Sequence, residues 1–372
     1  MKGEEEPNIY GGIYVHIPFC HQACSYCDFY FSTLKKYIPK FLQALLTEID
    51  LKKDFFCNHE PIFTLYFGGG TPSLLANHDL EIIVQKIYKN FANLRLQEVT
   101  IEANPEDVTQ EKLRFWSDLG FNRISLGVQS LHENELKFMK RNHTFQQVYH
   151  ALKLLQNSNF QNFSVDVIYG LPNSSCKTLE FTLKELLTFK PSHFSCYALT
   201  IENKTLLNYQ KQKQLFELDD EQYVQQYDFL VQYLENFGYK RYELSNFSLV
   251  GKISVHNSLY WKHFPYLGLG PSAHSFYPNV RSSNIANTHI YAEKLNNHEV
   301  PVHFIEELSS EQIALEKLMF QVRQNVGLNS QKIDKNLKEI WLKNCWIYER
   351  EEKIYFTNRG LMLSDYLILQ LR

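Results

Sequence analysis

Apolar runs of strand length alternate with amphipathic stretches of helix length through the first half of the chain. The runs are nearly continuous in apolar residues, which is typical of parallel strands buried on both faces. The strands are predicted at residues 12–17, 62–67, 98–103, 123–128, 164–168 and 193–199. Between them, apolar residues at three- and four-residue spacing predict helices at 37–54, 78–91, 109–119, 145–157 and 177–189.

This alternation predicts six parallel β/α units of the α/β class. Because eight such units close a full barrel, six of them predict a partial (β/α)6 barrel that stays open on one side. The open side would leave a lateral mouth through which a large ligand can enter.

After residue 244 the pattern changes. Residues 245–280 lack a strong helical period and are rich in His, Asn, Gly, Pro and aromatic residues, which indicates a site-forming extension. Helix patterns at 311–324 and 330–343, a polar hairpin at 346–356 and a final helix from 358 are similar to a small winged-helix module without a basic face for DNA. The sequence therefore predicts three parts: a barrel core at 1–244, an extension at 245–305 and a C-terminal helical and hairpin module at 306–372.

Composition narrows the functional class. The chain has 372 residues, of which 44% are hydrophobic, so it can bury a substantial core. A net charge of −3 without a basic block argues against nucleic acid as a partner. Residues 1–8 are acidic and do not form a signal peptide, and no later run approaches the ~20 apolar residues of a membrane span. We therefore expect a cytoplasmic protein with reduced thiols and no transmembrane segment.

Three closely spaced cysteines are the strongest chemical signal. Cys20, Cys24 and Cys27 follow the first predicted strand, with no fourth cysteine nearby. Three thiolates can hold three irons of a [4Fe-4S] cubane and leave the fourth iron open to a small chelator, whereas an electron-carrying cluster normally has four protein ligands. The alternative is a zinc site, since the same spacings suit tetrahedral zinc, with His16, His21 or a distant residue as the fourth ligand.

The surrounding motifs resemble a known superfamily. The cysteine spacing, Tyr26 before the last cysteine and the glycine run at 68–70 resemble the radical S-adenosylmethionine (SAM) superfamily. Within it, four phrases are similar to the oxygen-independent coproporphyrinogen III oxidase group over nearly the whole chain. They are Tyr-Val-His-Ile-Pro-Phe-Cys (14–20), Gly-Gly-Gly-Thr-Pro-Ser (68–73), Ser-Leu-Gly-Val-Gln-Ser (125–130) and Asp-Val-Ile-Tyr-Gly-Leu-Pro (166–172). This resemblance implies a radical SAM barrel that uses a [4Fe-4S] cluster and SAM.

Two features select a branch of that group. The oxidases carry a further cysteine two residues after the third, where this chain has Phe29, and the haem chaperone branch carries a His-Asn-x-x-Tyr-Trp motif, present here at 256–261. The resemblance therefore implies a haem chaperone that binds haem, the cluster and SAM, and transfers haem to an acceptor protein. The alternative is the oxidase of porphyrin biosynthesis, an activity against which Phe29 argues. A zinc-stabilised binding protein without a redox role is a third class.

Polar residues at the carboxyl ends of the predicted strands are the expected SAM contacts, because these ends meet at one rim of a β/α barrel. Glycine lets the backbone approach the methionyl amine, and Arg141 can pair bidentately with the methionyl carboxylate. Taken singly, the glycines also fit a tight turn, Arg141 a solvated helix end, and the others satisfied polar groups. The resemblance implies SAM contacts at Tyr14, Tyr26, Gly69, Gly70, Thr71, Glu102, Gln129, Arg141 and Asp166.

His256 is the predicted haem ligand. A neutral imidazole is a ready axial ligand for haem iron, and Tyr260 and Trp261 can stack on a porphyrin. A single histidine is also commonly a hydrogen-bonded core or surface residue, and that alternative stays open. We also expect an electron donor such as flavodoxin or ferredoxin, but the sequence identifies neither this donor nor the haem acceptor.

Overall fold

The structure, a computed structural model, describes residues 11–57 and 60–371. The acidic segment 1–8, for which the sequence predicts no signal peptide, lies outside the described residues. The first half of the fold is a run of strands and helices in the order β1 (Gly11–Ile17), α1 (Ile38–Leu51), β2 (Ile62–Gly69), α2 (Asn77–Asn90), β3 (Leu94–Ala103), α3 (Gln110–Asp118), β4 (Arg123–Gln129), α4 (Glu133–Phe138), α5 (Phe145–Gln156), β5 (Phe163–Tyr169), α6 (Cys176–Leu187) and β6 (His193–Ala198).

The strands β1 to β6 form a parallel sheet in chain order. Ile13, Val15 and Ile17 of β1 have no exposed surface, and α1 buries Phe41 and Leu45 against the same core. Burial of both strand faces explains why these segments are nearly continuous in apolar residues. The predicted α/β class and the predicted strands and helices of this half are confirmed, while the short α4 is an addition.

The chain then continues through the second group of elements. They are α7 (Leu206–Gln212), α8 (Asp220–Asn236), β7 (Lys240–Arg241), β8 (Asn246–Ser248), α9 (Val255–Trp261), β9 (Tyr266–Leu269), β10 (His274–Phe276), β11 (Val280–Asn284), α10 (Thr288–Asn296) and β12 (Val302–Glu307).

These later strands extend the parallel sheet at both ends. The resulting twelve-stranded order is β12-β11-β10-β9-β1-β2-β3-β4-β5-β6-β8-β7. β9 runs parallel to β1, whereas the pairs from β9 outward to β12, and those from β6 outward to β7, are antiparallel. No pairing between β7 and β12 occurs in the described part of the chain, which agrees with an open sheet.

Residues 245–280 nevertheless contain a helix, α9, where the sequence predicts no strong helical period. The hydroxyl of Ser254 accepts a hydrogen bond from the amide of Asn257, and the carboxylate of Glu98 accepts from the amides of Val255 and His256. Carboxylates stabilise helix N-termini, where backbone N–H groups have no partner within the helix. A residue of β3 therefore stabilises the start of this short helix.

The C-terminal residues form a second, smaller unit. Its elements are α11 (Ser310–Arg323), β13 (Leu328–Asn329), α12 (Lys335–Lys343), β14 (Ile347–Arg350), β15 (Lys353–Phe356), α13 (Asn358–Met362) and α14 (Ser364–Leu369). β13, β15 and β14 make a separate sheet, and Trp341, Ile354 and Leu367 are fully buried in a core of their own.

The predicted helix at 311–324 and hairpin at 346–356 are confirmed. The single helix predicted at 330–343 is instead a 3-10 turn, Ser330–Lys332, followed by α12. Other 3-10 turns occur at Lys35–Tyr37, Pro72–Leu74 and Pro105–Asp107. The division into parts at residues 244 and 305 stays a prediction.

Among the described residues, no helix is both long enough and apolar enough to cross a membrane.

Candidate functional site

A cavity of about 680 Å³ lies at the carboxyl ends of β1 to β6. Its wall combines the loop after β1, the ends of the next strands, and parts of the C-terminal unit. The predicted site residues on this wall are Cys20, Cys24, Tyr26, Cys27, Gly69, Gly70, Thr71, Glu102, Gln129, Arg141 and Asp166. Tyr14 and His256, in contrast, do not line it.

The cysteine loop after β1 is held by neighbouring loops. The amide of Ser25 donates to the carbonyl of Met139 at 3.1 Å, and the Ser25 hydroxyl donates to the carbonyl of Phe138 at 2.8 Å. The ring of His21 contacts the carboxylate of Asp107 at 2.8 Å. These bonds fix the loop to the segments that follow β3 and β4, so the three thiols face the same cavity.

The donor set around the thiols bears on the choice between zinc and a cluster. Within residues 11–57 and 60–371, no three His, Cys, Asp or Glu side chains gather closely enough to hold one metal ion. The candidate zinc ligands already have partners: His16 Nε2 lies 2.9 Å from the carbonyl of Tyr30, and His21 Nε2 lies 2.8 Å from Asp107. In a cubane each cysteine binds a different iron, so the thiols stand apart at separate corners. In this structure His16 and His21 are thus engaged in other contacts, and the three thiols are the donor set of the loop that faces the cavity.

Burial governs the acidity of the thiols. It raises the pKa of Cys20 to about 11 and that of Cys27 to about 12. Arg141 donates to the sulfur of Cys24 over 3.6 Å. The free thiols of Cys20 and Cys27 are therefore neutral at pH 7, and coordination to a metal is the interaction that deprotonates such a thiol outright.

The turn after β2 requires glycine at two positions. Gly69 has a φ of +106°, in the region that side chains disfavour, and a Cβ there would collide with the ring of His16. A Cβ on Gly70 would lie 2.8 Å from the carbonyl oxygen of Ile17. Glycine at both positions therefore lets the backbone itself form this part of the cavity wall.

Both carboxylate oxygens of Glu102, at the end of β3, accept hydrogen bonds from the protein. Tyr66 donates its hydroxyl to Oε1 at 2.7 Å, and the amide of Gly69 donates to Oε2 at 3.1 Å. Burial raises the pKa of Glu102 to about 7, although both hydrogen bonds oppose the rise. Each oxygen is thus fixed in direction, and the group titrates near neutral pH.

Arg141 lies on the cavity wall rather than at a solvated helix end. Its Nη2 donates to Asn104 Oδ1 at 2.7 Å and to the carbonyl of Gly127 at 3.0 Å. Its Nε is buried and has no hydrogen-bond partner in the described part of the chain. The nearby tyrosine Tyr26 and the thiol of Cys24 hold the pKa of Arg141 above its usual range against the effect of burial. A permanent positive charge therefore faces the cavity beside the cysteine loop.

Asp166 and Gln129 come from the adjacent strands β5 and β4. The hydroxyl of Ser125 donates to Asp166 at 3.1 Å, and burial raises the pKa of this carboxyl. Gln129 has a φ of +66°, and the register of β4 against β5 shifts between Gly127 and Gln129. Such bulges redirect a side chain at the end of a strand and are frequent beside functional sites.

The two predicted tyrosines lie in different places. Tyr26 lines the cavity, and burial raises its pKa. Tyr14 lies away from the wall, with its hydroxyl 3.2 Å from His16 Nδ1 and its ring centre 5.9 Å from that of Tyr66. The structure therefore brings Tyr26 to the cavity and Tyr14 into the aromatic layer next to it.

His256 is buried, with 1% of its surface exposed. Its Nδ1 lies 2.7 Å from the hydroxyl of Thr64, and its Nε2 lies 2.8 Å from the hydroxyl of Tyr260. Burial lowers the pKa of His256 to about 3, so the ring is neutral. A neutral ring suits iron, but in this conformation both nitrogens have protein partners.

Several residues of the site are missing from the sequence prediction, among them Asn104, Tyr66 and Arg123. Asn104, which contacts Arg141, stands two positions after Glu102, so the same strand-end argument finds it. Tyr66 and Arg123 also line the cavity but lie within strands, where an aromatic residue or the first residue of a strand gives no signal in the sequence.

Known proteins resemble this chain in sequence and in fold. Residues 14–186 match the model of the Radical SAM superfamily. "Heme chaperone HemW" of Lactococcus lactis subsp. lactis (strain IL1403) is 30% identical over 379 residues, covering 97% of this chain and 96% of that protein. The protein of the same name from Escherichia coli (strain K12) is 34% identical over 264 residues, covering 70% of this chain and 69% of that protein.

A solved structure has a fold similar to that of this chain. Coproporphyrinogen III oxidase (HemN) from Escherichia coli, a radical SAM enzyme, matches with a TM-score of 0.83 and 20% identity, covering 98% of this chain and 91% of that one.

Proposed function

Because the chain belongs to the HemW family of the radical SAM superfamily, we propose that it is a haem chaperone, which binds haem and transfers it to an acceptor protein. The observation that carries this proposal is the convergence of cysteine, glycine, glutamate and arginine residues from separate strands on one cavity. The family uses a [4Fe-4S] cluster and SAM, and the cavity wall offers groups suited to both.

Cys20, Cys24 and Cys27 would hold the cluster, one thiolate on each of three irons. The donor set fits, because the loop carries three thiols on one cavity wall and a guanidinium beside Cys24 that balances the negative charge of thiolates. One-electron reduction of the SAM sulfonium is the chemistry that a reduced cluster supplies when bound. An electron donor such as flavodoxin or ferredoxin completes this proposal.

SAM would lie along the rim of the sheet. Glu102 and the backbone of Gly69, Gly70 and Thr71 would receive the methionyl amine, since the carboxylate and the glycine turn are already joined by a 3.1 Å hydrogen bond. Arg141 would pair with the methionyl carboxylate.

Other groups would bind the rest of SAM. Gln129 and Asp166 would hydrogen-bond the ribose hydroxyls or the adenine edge, and Tyr14 and Tyr26 would exclude water from the adenosyl group. That these residues contact SAM is the sequence prediction, and the division of roles among them is part of this proposal.

The proposed haem ligand is His256, whose ring nitrogens both have protein partners in this structure. Iron coordination by His256 stays a prediction, and it requires the 2.8 Å contact between His256 Nε2 and Tyr260, or the 2.7 Å contact between Nδ1 and Thr64, to open. Phe29, which stands where the oxidases carry a further cysteine, is 67% exposed and lines the cavity. An exposed aromatic ring at this position suits contact with a flat apolar ligand.

A cytoplasmic location is also proposed. All seven cysteines are free, which suits a compartment that keeps thiols reduced.

Haem titration beside an oxidase assay tests the proposed function. The protein is purified without oxygen, loaded with cluster, reduced and given SAM. We expect a Soret band on addition of haem and no conversion of coproporphyrinogen III. Conversion of coproporphyrinogen III would instead support the oxidase. Protein that contains zinc and no iron would support a zinc-stabilised binding protein without a redox role.

A further inference from the structure

We propose that His256 is a positioning residue for the SAM site, acting through the ring of Tyr66 on the carboxylate of Glu102. This inference rests on the proposed use of SAM, and it gives the histidine a role that requires no contact with haem.

The imidazole of His256 is fixed in position and in orientation. Thr64 Oγ1 lies 2.7 Å from Nδ1, and Tyr260 Oη lies 2.8 Å from Nε2. The backbone amide of the same residue donates to Glu98 Oε1 at 2.9 Å. Contacts at both ring nitrogens leave the ring without rotational freedom, so it offers a flat and rigid face to its neighbours.

That face packs on Tyr66. The two ring centres are 4.9 Å apart with their planes inclined by 26°, a stacked arrangement. Tyr66 donates its hydroxyl to Glu102 Oε1 at 2.7 Å, and the amide of Gly69 takes the other carboxylate oxygen. The orientation of the His256 ring therefore sets the direction from which Tyr66 reaches the carboxylate.

The same strand carries both ends of this connection. Glu98 and Glu102 both lie on β3, four residues apart, and so point to the same face of the sheet. Glu98 accepts hydrogen bonds from the amides of Val255 and His256 at 2.9 Å and lies 3.8 Å from the Nε of Arg123. α9 is thus fixed to the strand whose end forms the SAM site, and the connection from His256 to Glu102 has no mobile link.

The position of His256 behind the cavity wall agrees with a supporting role. Tyr66 and Glu102 line the cavity, whereas His256 does not. His256 can nevertheless influence the affinity for SAM, because a small displacement of the Glu102 carboxylate weakens the hydrogen bond that this carboxylate accepts from SAM.

SAM affinity of the cluster-loaded full chain tests this role. We expect His256→Ala and Tyr66→Phe each to weaken SAM binding by about tenfold. Each change removes a constraint on the carboxylate of Glu102, which receives the methionyl amine of SAM. Because both changes act on the same hydrogen bond, the double variant should bind SAM no more weakly than Tyr66→Phe alone. Anaerobic isothermal titration measures all three, and iron content is checked for each.

The matched control is Leu259→Ala. Leu259 is fully buried in the same helix, one turn after His256, and its Cδ1 lies beside Gly12, next to Thr64 Oγ1 and His256 Nδ1. This variant removes buried volume from α9 but leaves both hydrogen-bond partners of the His256 ring, Thr64 and Tyr260, in place. It should therefore retain SAM affinity within about twofold if only the Tyr66 connection matters.

Two near-isosteric changes keep the test valid if His256→Ala does not fold. Thr64→Val removes the partner of Nδ1, and Tyr260→Phe removes the partner of Nε2, while both preserve shape. Each should weaken SAM binding in the wild-type background and have no effect in the Tyr66→Phe background.

The outcomes separate this inference from the proposed function. If the wild-type chain binds no SAM, the proposed use of SAM fails. If the wild-type chain binds SAM but His256→Ala binds it equally well and loses the Soret band on haem titration, His256 is an iron ligand and the positioning role is refuted. Equal loss of SAM affinity in Leu259→Ala, or additive losses in the double variant, would refute it as well.

Discussion

A single carboxyl group, that of Glu102, combines the properties expected of a polar contact for SAM. It is surrounded by the hydroxyl of Tyr66, the amide of Gly69, the carboxylate of Asp166 and the guanidinium of Arg123. The first two donate hydrogen bonds, and Asp166 and burial disfavour ionisation. The balance leaves Glu102 with a pKa of about 7, well above that of an exposed glutamate.

SAM affinity should therefore depend on pH around neutrality. Glu102 is mostly neutral at pH 6 and mostly ionised at pH 8, because its pKa is raised to about 7. The ionised form is the stronger acceptor for the amine, so we expect SAM binding to strengthen as pH rises through this range. Anaerobic titrations between pH 6 and 8 measure the effect, and Glu102→Gln should abolish the dependence. An affinity independent of pH in the wild-type chain would contradict this assignment.

At the residue scale, sequence predicts side chains that reach the cavity from strand ends. Glu102, Gln129 and Asp166 are predictable as site residues because parallel strands bring their carboxyl ends to one rim of the sheet. The sequence does not distinguish Tyr66 from a core aromatic, because its function depends on a hydroxyl that meets a residue of the next strand. Thr64, one of the two partners of His256, is missed for the same reason, since it is distant in sequence and contacts the ring only across packed elements.

At the scale of elements, α9 depends on β3. The helix has seven residues, too few to be stable by itself, and its first amides bond to the carboxylate of Glu98. Glu98 is 3% exposed and its charge faces the guanidinium of Arg123, which is 1% exposed. The helix N-terminus and the buried arginine are thus stabilised by one carboxylate.

Glu98→Gln should destabilise the chain by about 3 kcal/mol, because it leaves the buried charge of Arg123 without its partner and turns an amide NH₂ toward backbone donors. Urea denaturation followed by circular dichroism measures the loss. The control is Glu111→Gln, an exposed position in the first turn of α3, which should change stability by less than about 0.5 kcal/mol. Equal stability of the two variants would contradict the role given to Glu98.

The long helix α8 is missing from the elements predicted from the sequence. α8 extends over Asp220–Asn236 and buries Tyr227, Leu230, Val231 and Leu234, a regular amphipathic spacing behind the cap of Asp219. The periodicity that predicts α1, α2, α3, α5 and α6 is present in α8 as well, so the sequence holds the signal for this helix. The two-residue strands β7 and β13, in contrast, cannot be predicted from the sequence. So short a strand is defined by pairing with its neighbour and not by its own residues.

At the scale of the whole molecule, the hydrophobic core of the sheet and the hydrophobic core of the C-terminal unit border the same cavity. The larger core lies between the sheet and its helices, and the smaller one gathers around Trp341. Leu361 and Met362 of the C-terminal unit nevertheless line the cavity. Arg241 joins the two units through a 2.8 Å hydrogen bond to Asn358.

Separate cores imply separate responses to mutation. Trp341→Ala removes a fully buried side chain and should destabilise the C-terminal unit by about 3–5 kcal/mol. Hydrogen exchange by mass spectrometry should show faster exchange at 310–371, while iron content and exchange in β1 to β6 stay unchanged. Tyr348→Ala, at a 47% exposed position of the same unit, is the control. Faster exchange throughout the sheet would indicate a single cooperative unit instead.

The close approach of Gly69 to His16 limits how this chain can change during evolution. Even alanine, the smallest replacement, would need the space that the imidazole fills. A smaller residue at position 16 would open that space but would release the carbonyl of Tyr30, which His16 holds at the far end of the cysteine loop. A replacement at position 69 must therefore change position 16 as well, re-anchor the loop, and still adopt a backbone conformation that side chains disfavour.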